Sequence, residues 1–163
     1  MPGEVLLRDV SEDDLPVFFE HQRDPEATRM AAFPARAWDE FKAHWGRILA
    51  DASVIKKCVL FDGHVAGNVV SFENAGRREV GYWIGRSFWG QGIATQALSR
   101  FLSQVGFRPL HAHVAKHNLA SIRVLEKSGF SVCGEHKSPS SPSGEGFDEF
   151  VYVLGERGKG EVG

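Results

Sequence analysis

Glu79-Val-Gly-Tyr-Trp-Ile-Gly-Arg-Ser-Phe-Trp-Gly-Gln-Gly-Ile-Ala-Thr95 is the stretch whose reading decides the fold. Glu79 to Ile84 has the make-up of a strand, the glycines that follow punctuate a turn, and an amphipathic helix begins near Gly92. Gly90 and Gly92 remove side chains where the backbone must approach something closely, and the helix start offers unpaired N–H groups and a positive dipole end. An anion fits that description, and a phosphate or pyrophosphate held by backbone amides fits it best. Two nucleotide loops do not. No Lys-Ser or Lys-Thr follows the glycines, as a nucleoside-triphosphate loop requires. Thr95 takes the third glycine position of the dinucleotide fingerprint, and no acid appears before Glu126 to hold a ribose.

Upstream of this stretch, Val54 to Phe61 ends at Asp62-Gly63, a two-residue hairpin signal, and His64 to Glu73 continues as a strand into the turn Asn74 to Arg78. Two successive hairpins predict an antiparallel meander. Nearer the N-terminus, Val5 to Val10 reads as a strand. Ser11 then caps a helix running to about Gln22, with acids in its first turn. Pro25 to Leu49 reads as helical with a break near Pro34, and its stripe of Trp38, Phe41, Trp45, Ile48 and Leu49 is core packing or one wall of a substrate cleft.

Downstream, a helix from Gly92 to Val105 shows one apolar stripe. Leu110 to Ala115 is a short strand, and Asn118 to Lys127 a helix closed by Gly129. A strand from Phe130 to Glu135, a mobile loop from His136 to Gly146 and a closing strand from Phe147 to Leu154 complete one α/β domain over residues 1–154. The tail 155–163 has nothing to bury.

The 163 residues, 42% hydrophobic and 25% charged, suit a single globular domain. No run approaches the roughly 18 apolar residues of a membrane span and no signal segment leads the chain, so the expectation is a cytoplasmic protein with no membrane partner. Cys58 and Cys133 lie in apolar runs and read as buried, reduced thiols. The net charge of −2 hides a segregation: Val80 to Leu125 contains no acid but holds Arg86, Arg100, Arg108, Lys116 and Arg123. This stretch faces an anion or pairs with acids elsewhere. A nucleic-acid partner is disfavoured by the overall acidity and the lack of a reader motif.

Three segments in order resemble the GCN5-related N-acetyltransferases (the GNAT superfamily), and within them the branch that acetylates N-termini of ribosomal proteins. Trp89-Gly90-Gln91-Gly92-Ile93-Ala94 is similar to the family's Arg/Gln-x-x-Gly-x-Gly/Ala turn, with Trp89 departing from the usual Arg or Gln. Asn118-Leu-Ala-Ser121 leading to Gly129-Phe130 resembles its Asn-x-x-Ser/Ala helix, and Glu79 to Gly85 its fourth strand. The resemblance implies a single-domain fold with a mixed, mostly antiparallel sheet of about six to seven strands and helices on both faces. It implies transfer of acetyl from acetyl-CoA to an amine, a protein N-terminus or a small molecule, by direct attack in a ternary complex and without a metal.

On that resemblance Gly90, Gln91, Gly92, Ile93, Ala94 and Thr95 hold the pyrophosphate. Trp83, Ile84 and Gly85 bond the pantetheine arm as an extra strand, and one of their N–H groups polarises the thioester. Asn118 touches the same arm. Glu79 is the candidate base, its alternative being an ion pair with Arg77 or Arg78. Ser121 is the candidate donor to the departing thiolate, its alternative being a helix cap or a cofactor contact, since the family's tyrosine position is Leu125 here. Tyr82 and Tyr152 read as packed aromatics with bonded hydroxyls. His111, His113 and His117 have no zinc-site spacing, so no metal ligand is expected. A homodimer is compatible with all of this, and a non-catalytic acyl-CoA binding module is the alternative function.

Overall fold

Asp62-Gly63 and Ala75-Gly76 carry positive φ at both positions, 50° and 81° in the first pair, 53° and 80° in the second. Such mirror-image turns match the twist of the strands they join. They fold β2 (Ile55–Phe61), β3 (His64–Asn74) and β4 (Arg77–Ile84) into the expected meander. The second turn is tighter than the sequence suggests, because Asn74 pairs with Arg77 and the ladder draws in residues whose polarity reads as loop.

The computed structural model describes residues 3–32, 34–138 and 147–155. Around the meander stand β1 (Val5–Asp9), α1 (Leu15–Arg23), α2 (Pro25–Ala31) and α3 (Trp38–Ala50) before it. After it come α4 (Ile93–Gln104), β5 (Leu110–Ala115), α5 (Leu119–Lys127), β6 (Ser131–Ser138) and β7 (Phe147–Leu154). All seven strands join one sheet in the order β1-β2-β3-β4-β5-β7-β6, antiparallel except where β4 meets β5. Helices cover both faces. Leu98 and Phe101 of α4 and Leu125 of α5 bury one face with Val69, Leu110 and Tyr152. On the other, Phe18 of α1 meets Phe41 and Trp45 of α3 over Cys58.

The helical region from Pro25 divides in two. Asp24 caps α2, its Oδ1 accepting from the amides of Glu26 and Ala27, and Ala32 at φ 54° ends it ahead of Pro34. Phe41 and Trp45 of the α3 stripe pack inward, with the Phe18 and Trp45 rings 5.1 Å apart, whereas Trp38, edge-on to Phe19 at 5.1 Å, stays exposed. Beneath α1, Arg8 makes two 2.8 Å bonds to the buried Asp14. Burial opposes the charge on Asp14, but Arg8 and the amide of Ser11 outweigh it and hold the carboxyl below its ordinary value.

The last hairpin departs from the sequence reading. β6 runs on to Ser138, because His136 and Lys137 pair with Glu149 and Asp148 and this ladder overrides their loop-like composition. Of the expected loop and tail, residues 139–146 and 156–163 lie outside the described residues. Cys133 is exposed rather than buried, since it lies on the edge strand β6, whose residues 131–135 are all exposed, as the extra residue of a bulge between Val132 and Gly134. Cys58 is buried, and desolvation pushes its thiol up to about 12. Among the described residues no helix is long and apolar enough to cross a membrane.

Candidate active site

β4 and β5 share a single ladder pair, Glu79 with His111, although β4 continues to Ile84 and β5 to Ala115. Beyond that pair the strands part, and a cleft of about 340 Å³ opens through the sheet. Ala27, Met30 and Ala31 of α2 line it from one face, and Tyr82, Ile93 and Ser121 from the other. Side-chain alternation along β4 explains this access to both faces: Tyr82 reaches toward α5, while Trp83 on the opposite face donates its indole N–H to the carbonyl of His21 in α1. The wall on the α1 side comes from α2, and no α3 residue of the aromatic stripe lines the cleft.

The same alternation sorts the backbone groups of β4. Gly85 donates its N–H to the carbonyl of Ala66 at 2.8 Å, and by the antiparallel pattern the N–H of Trp83 points to β3 as well. Of the three amides expected to meet a pantetheine arm, that of Ile84 alone turns toward the gap. Trp83 and Ile84 line the cleft; Gly85 does not, being packed against the ring of His21. The carbonyl of Ile84 also faces the gap and accepts the indole N–H of Trp89 at 2.8 Å.

Gly90 and Gly92 sit at φ 78° and 76°, so the turn requires glycine for its backbone conformation. A Cβ added to Gly90 would meet nothing within 4 Å, which leaves the space above the turn open. Gly92 caps α4 without any side-chain bond, and the first helical bond runs from Gln96 N–H to the Gly92 carbonyl. The first-turn N–H groups ahead of it have no partner within the helix, and Ile93, Ala94 and Thr95 line the cleft with Gly90 and Gly92. Gln91 is exposed and outside the lining. Arg123 and Lys127 of α5 bring positive charge to the same wall. Orphan amides, a helix dipole and two cations suit a pyrophosphate.

Three of the other basic residues of the acid-free stretch are used elsewhere: Arg86 faces Asp24 at 3.4 Å, Lys116 meets Glu135 at 3.0 Å, and Arg108 donates to carbonyls at the end of α4.

Asn118 starts α5, its Oδ1 accepting the N–H of Ser121 at 3.2 Å. The serine hydroxyl is thereby presented to the cleft, where its Oγ lies 2.6 Å from the Tyr82 hydroxyl. Burial pushes that phenol up to about 12 against the opposing effect of the serine bond. Tyr82 is thus a packed aromatic with a bonded hydroxyl, as expected, and its partner is the candidate serine. Strand alternation was the available signal, since it sets Tyr82 on the face opposite Glu79 and Trp83.

Glu79 is buried and absent from the cleft lining, four residues and about 13 Å along the strand from Trp83. It pairs with neither Arg77 nor Arg78. Asn74 donates to its Oε2 at 3.1 Å, and His113 Nε2 stands 3.5 Å from the same oxygen. Arg78 instead donates to Ser71 and to the Ser53 carbonyl. His113 Nδ1 donates to Glu149 Oε1 at 2.8 Å, so one imidazole bridges two buried carboxylates on the α1–α3 face of the sheet. Sequence reasoning missed this trio, whose members come from three strands. His117 bonds the carbonyl of Arg29, and among the described residues no group of three His, Cys, Asp or Glu is placed to hold a metal ion.

Residues 4–131 match the Acetyltransferase (GNAT) domain family. Among curated proteins, the chain is 26% identical over 167 residues to the uncharacterized N-acetyltransferase p20 of Bacillus licheniformis, covering 94% of this chain and 93% of the relative. It is 30% identical over 122 residues to the putative ribosomal N-acetyltransferase YdaF of Bacillus subtilis, covering 69% and 66%. Among solved structures, RimL, a ribosomal L7/L12 alpha-N-protein acetyltransferase in complex with coenzyme A, superimposes with a TM-score of 0.79 at 20% identity over 93% of this chain and 94% of that one. Spermidine N-acetyltransferase from Vibrio cholerae, in complex with CoA and spermine, does so at 0.80 and 19% over 92% and 94%. At such identities the structures speak for the fold, and the family match, covering most of the sequence, speaks for the rest. The chain belongs to the GNAT acetyltransferases, the acetyl-CoA-dependent N-acetyltransferases.

Proposed function

We propose that this acetyltransferase acts on a primary amine, either a protein N-terminus or a small amine, by direct attack in a ternary complex. The observation that carries the reading is the cleft crossing the sheet between β4 and β5. A cofactor can lie against α4 and α5 while an acceptor approaches from α1 and α2, so both reach the gap without a covalent enzyme intermediate. Acetyl-CoA supplies the activated acyl group. The amides of Gly92 to Thr95 hold its pyrophosphate, the N–H groups of Ile84 and, by the same parity, Tyr82 are the β4 donors on hand for the pantetheine or the thioester carbonyl, and Asn118 and Ser121 flank the arm. Glu79, on the acceptor face, takes the amine proton through water.

A protein N-terminus is favoured by the likeness to YdaF and RimL, and a polyamine by the equal structural likeness to the spermidine enzyme. The test is thiol release from acetyl-CoA across a panel of N-terminal peptides, polyamines and simple amines. Turnover with one class names the acceptor. Tight cofactor binding with no thiol release on any amine would reverse the reading in favour of a non-catalytic acyl-CoA binding module.

A further inference from the structure

We propose that Tyr82 is a positioning residue for the departing thiolate: its phenol donates to Ser121 Oγ and so turns the serine's own hydrogen toward the thioester sulfur. The inference rests on the acetyl-transfer reading and deepens it.

Two acceptors lie near the Tyr82 hydroxyl, Ser121 Oγ at 2.6 Å and the Ser121 backbone carbonyl at 3.5 Å. The phenol has one hydrogen. Given to Oγ, it makes a short, strong bond; given to the carbonyl, it makes one at the limit of hydrogen bonding. In the second case the serine would have to donate the 2.6 Å bond; the phenol is the more acidic hydroxyl and so the better donor, which favours the first polarity and leaves the serine hydrogen uncommitted. Other serines near the helix ends show what that hydrogen otherwise does. Ser103 Oγ donates back to the Arg100 carbonyl at 2.7 Å, and Ser128 Oγ to the Val124 carbonyl at 2.8 Å. Among the described residues Ser121 makes no such back-bond. Its amide is tied to Asn118, its oxygen to Tyr82, and both hydroxyls line the cleft.

In the reaction the amine nitrogen forms the C–N bond, the C–S bond breaks with its electron pair passing to sulfur, and the proton that nitrogen loses ends on the thiolate. Neither hydroxyl need ionise. A buried phenol pushed up to about 12 is a weaker acid than a thiol, whose ordinary value is about 8.5. What the pair supplies is a polarised hydrogen bond to the forming thiolate. Leu125 occupies the helix position where the resemblance would place a tyrosine, and a tyrosine reaches this serine from the strand instead.

The direct readout is the ionisation of the thiol of bound coenzyme A, followed by ultraviolet thiolate absorbance against pH. In the wild type the thiol should be about tenfold more acidic than in free coenzyme A, the effect of one charge-assisted hydrogen bond. Tyr82→Phe should abolish most of that shift while coenzyme A affinity stays within about twofold, and kcat on the best amine of the panel should fall about tenfold with KM nearly unchanged. Tyr82→Phe placed on Ser121→Ala should add nothing further, because the tyrosine acts through the serine. A Tyr82→Phe protein with unchanged thiol acidity, or an equal loss with and without Ser121, overturns the proposal.

Should Tyr82→Phe not fold, Ser121→Ala removes the same bond from the helix side, and an unaltered thiol titration in it is equally decisive against. Wild-type protein that binds coenzyme A with no acidification of the thiol overturns the proposal alone, whereas failure to bind coenzyme A overturns the acetyl-transfer reading and the proposal with it.

Discussion

Trp89 donates its indole N–H to the carbonyl of Ile84 at 2.8 Å, which ties the glycine turn back onto the strand it follows. The residue standing where the family carries Arg or Gln is thus a clasp between β4 and the glycine turn, and its ring lines the cleft. Trp89→Phe keeps most of the ring and removes the bond, which contributes about 1 kcal/mol. Coenzyme A affinity by calorimetry should weaken about fivefold, with kcat nearly unchanged. Undiminished affinity would show that the turn holds its shape without the clasp.

Glu79→Gln tests the base. It preserves shape and keeps an acceptor for Asn74, so coenzyme A binding should be unaffected while kcat falls about a hundredfold. Full turnover in this variant would remove Glu79 from the chemistry.

His113→Leu leaves the buried carboxylates of Glu79 and Glu149 without the imidazole between them. The carboxylates are buried but the imidazole is partly exposed, and losing a hydrogen-bond partner of an ionised group costs about 2 kcal/mol. A lower midpoint in urea unfolding is expected, and a midpoint equal to the wild type would mean that the trio contributes little to the sheet.

Gly67→Ala places a Cβ 2.1 Å from the carbonyl oxygen of Trp83, a backbone atom that no rotamer can move. The expected result is a loss of about 2 kcal/mol, within the usual range for overpacking, together with weaker coenzyme A binding as β4 shifts. Gly46→Ala is the control: its Cβ meets nothing within 4 Å in mid-helix, and it should raise stability by about 0.5 to 1 kcal/mol.

Acid stability should depend on Asp14. Its folded carboxyl titrates below the ordinary 3.8, so its contribution is fully present above that value and is lost as the pH falls through the lower folded value. Arg8→Met should lower stability at neutral pH and flatten the acid limb of the unfolding profile. An unchanged limb would assign it to other carboxylates.

Much of the fold was legible because its signals are local. Asp62-Gly63 forms the turn its sequence predicts, Asn118 caps the helix it precedes, and Gly90 and Gly92 adopt the left-handed conformation that glycine tolerates. Boundaries slipped where pairing partners decide them. Asn74, Arg77 and His136 are polar residues that read as loop, and a neighbouring strand draws each into a ladder.

The sequence by itself determined the elements and the glycine turn ahead of α4, since turns, caps and side-chain periodicity are settled by residues within about four positions of one another. Tertiary structure alone decided the chemistry around them. It inserts β7 between β5 and β6, which carries Glu149 to His113, and it parts β4 from β5 after one pair. It also brings Tyr82 to a serine 39 residues away. The parity of β4 decides which of its groups face the gap: the amide of Ile84 turns toward it and that of Gly85 is held by Ala66. That parity becomes functional only once the sheet has chosen which strand lies on each side.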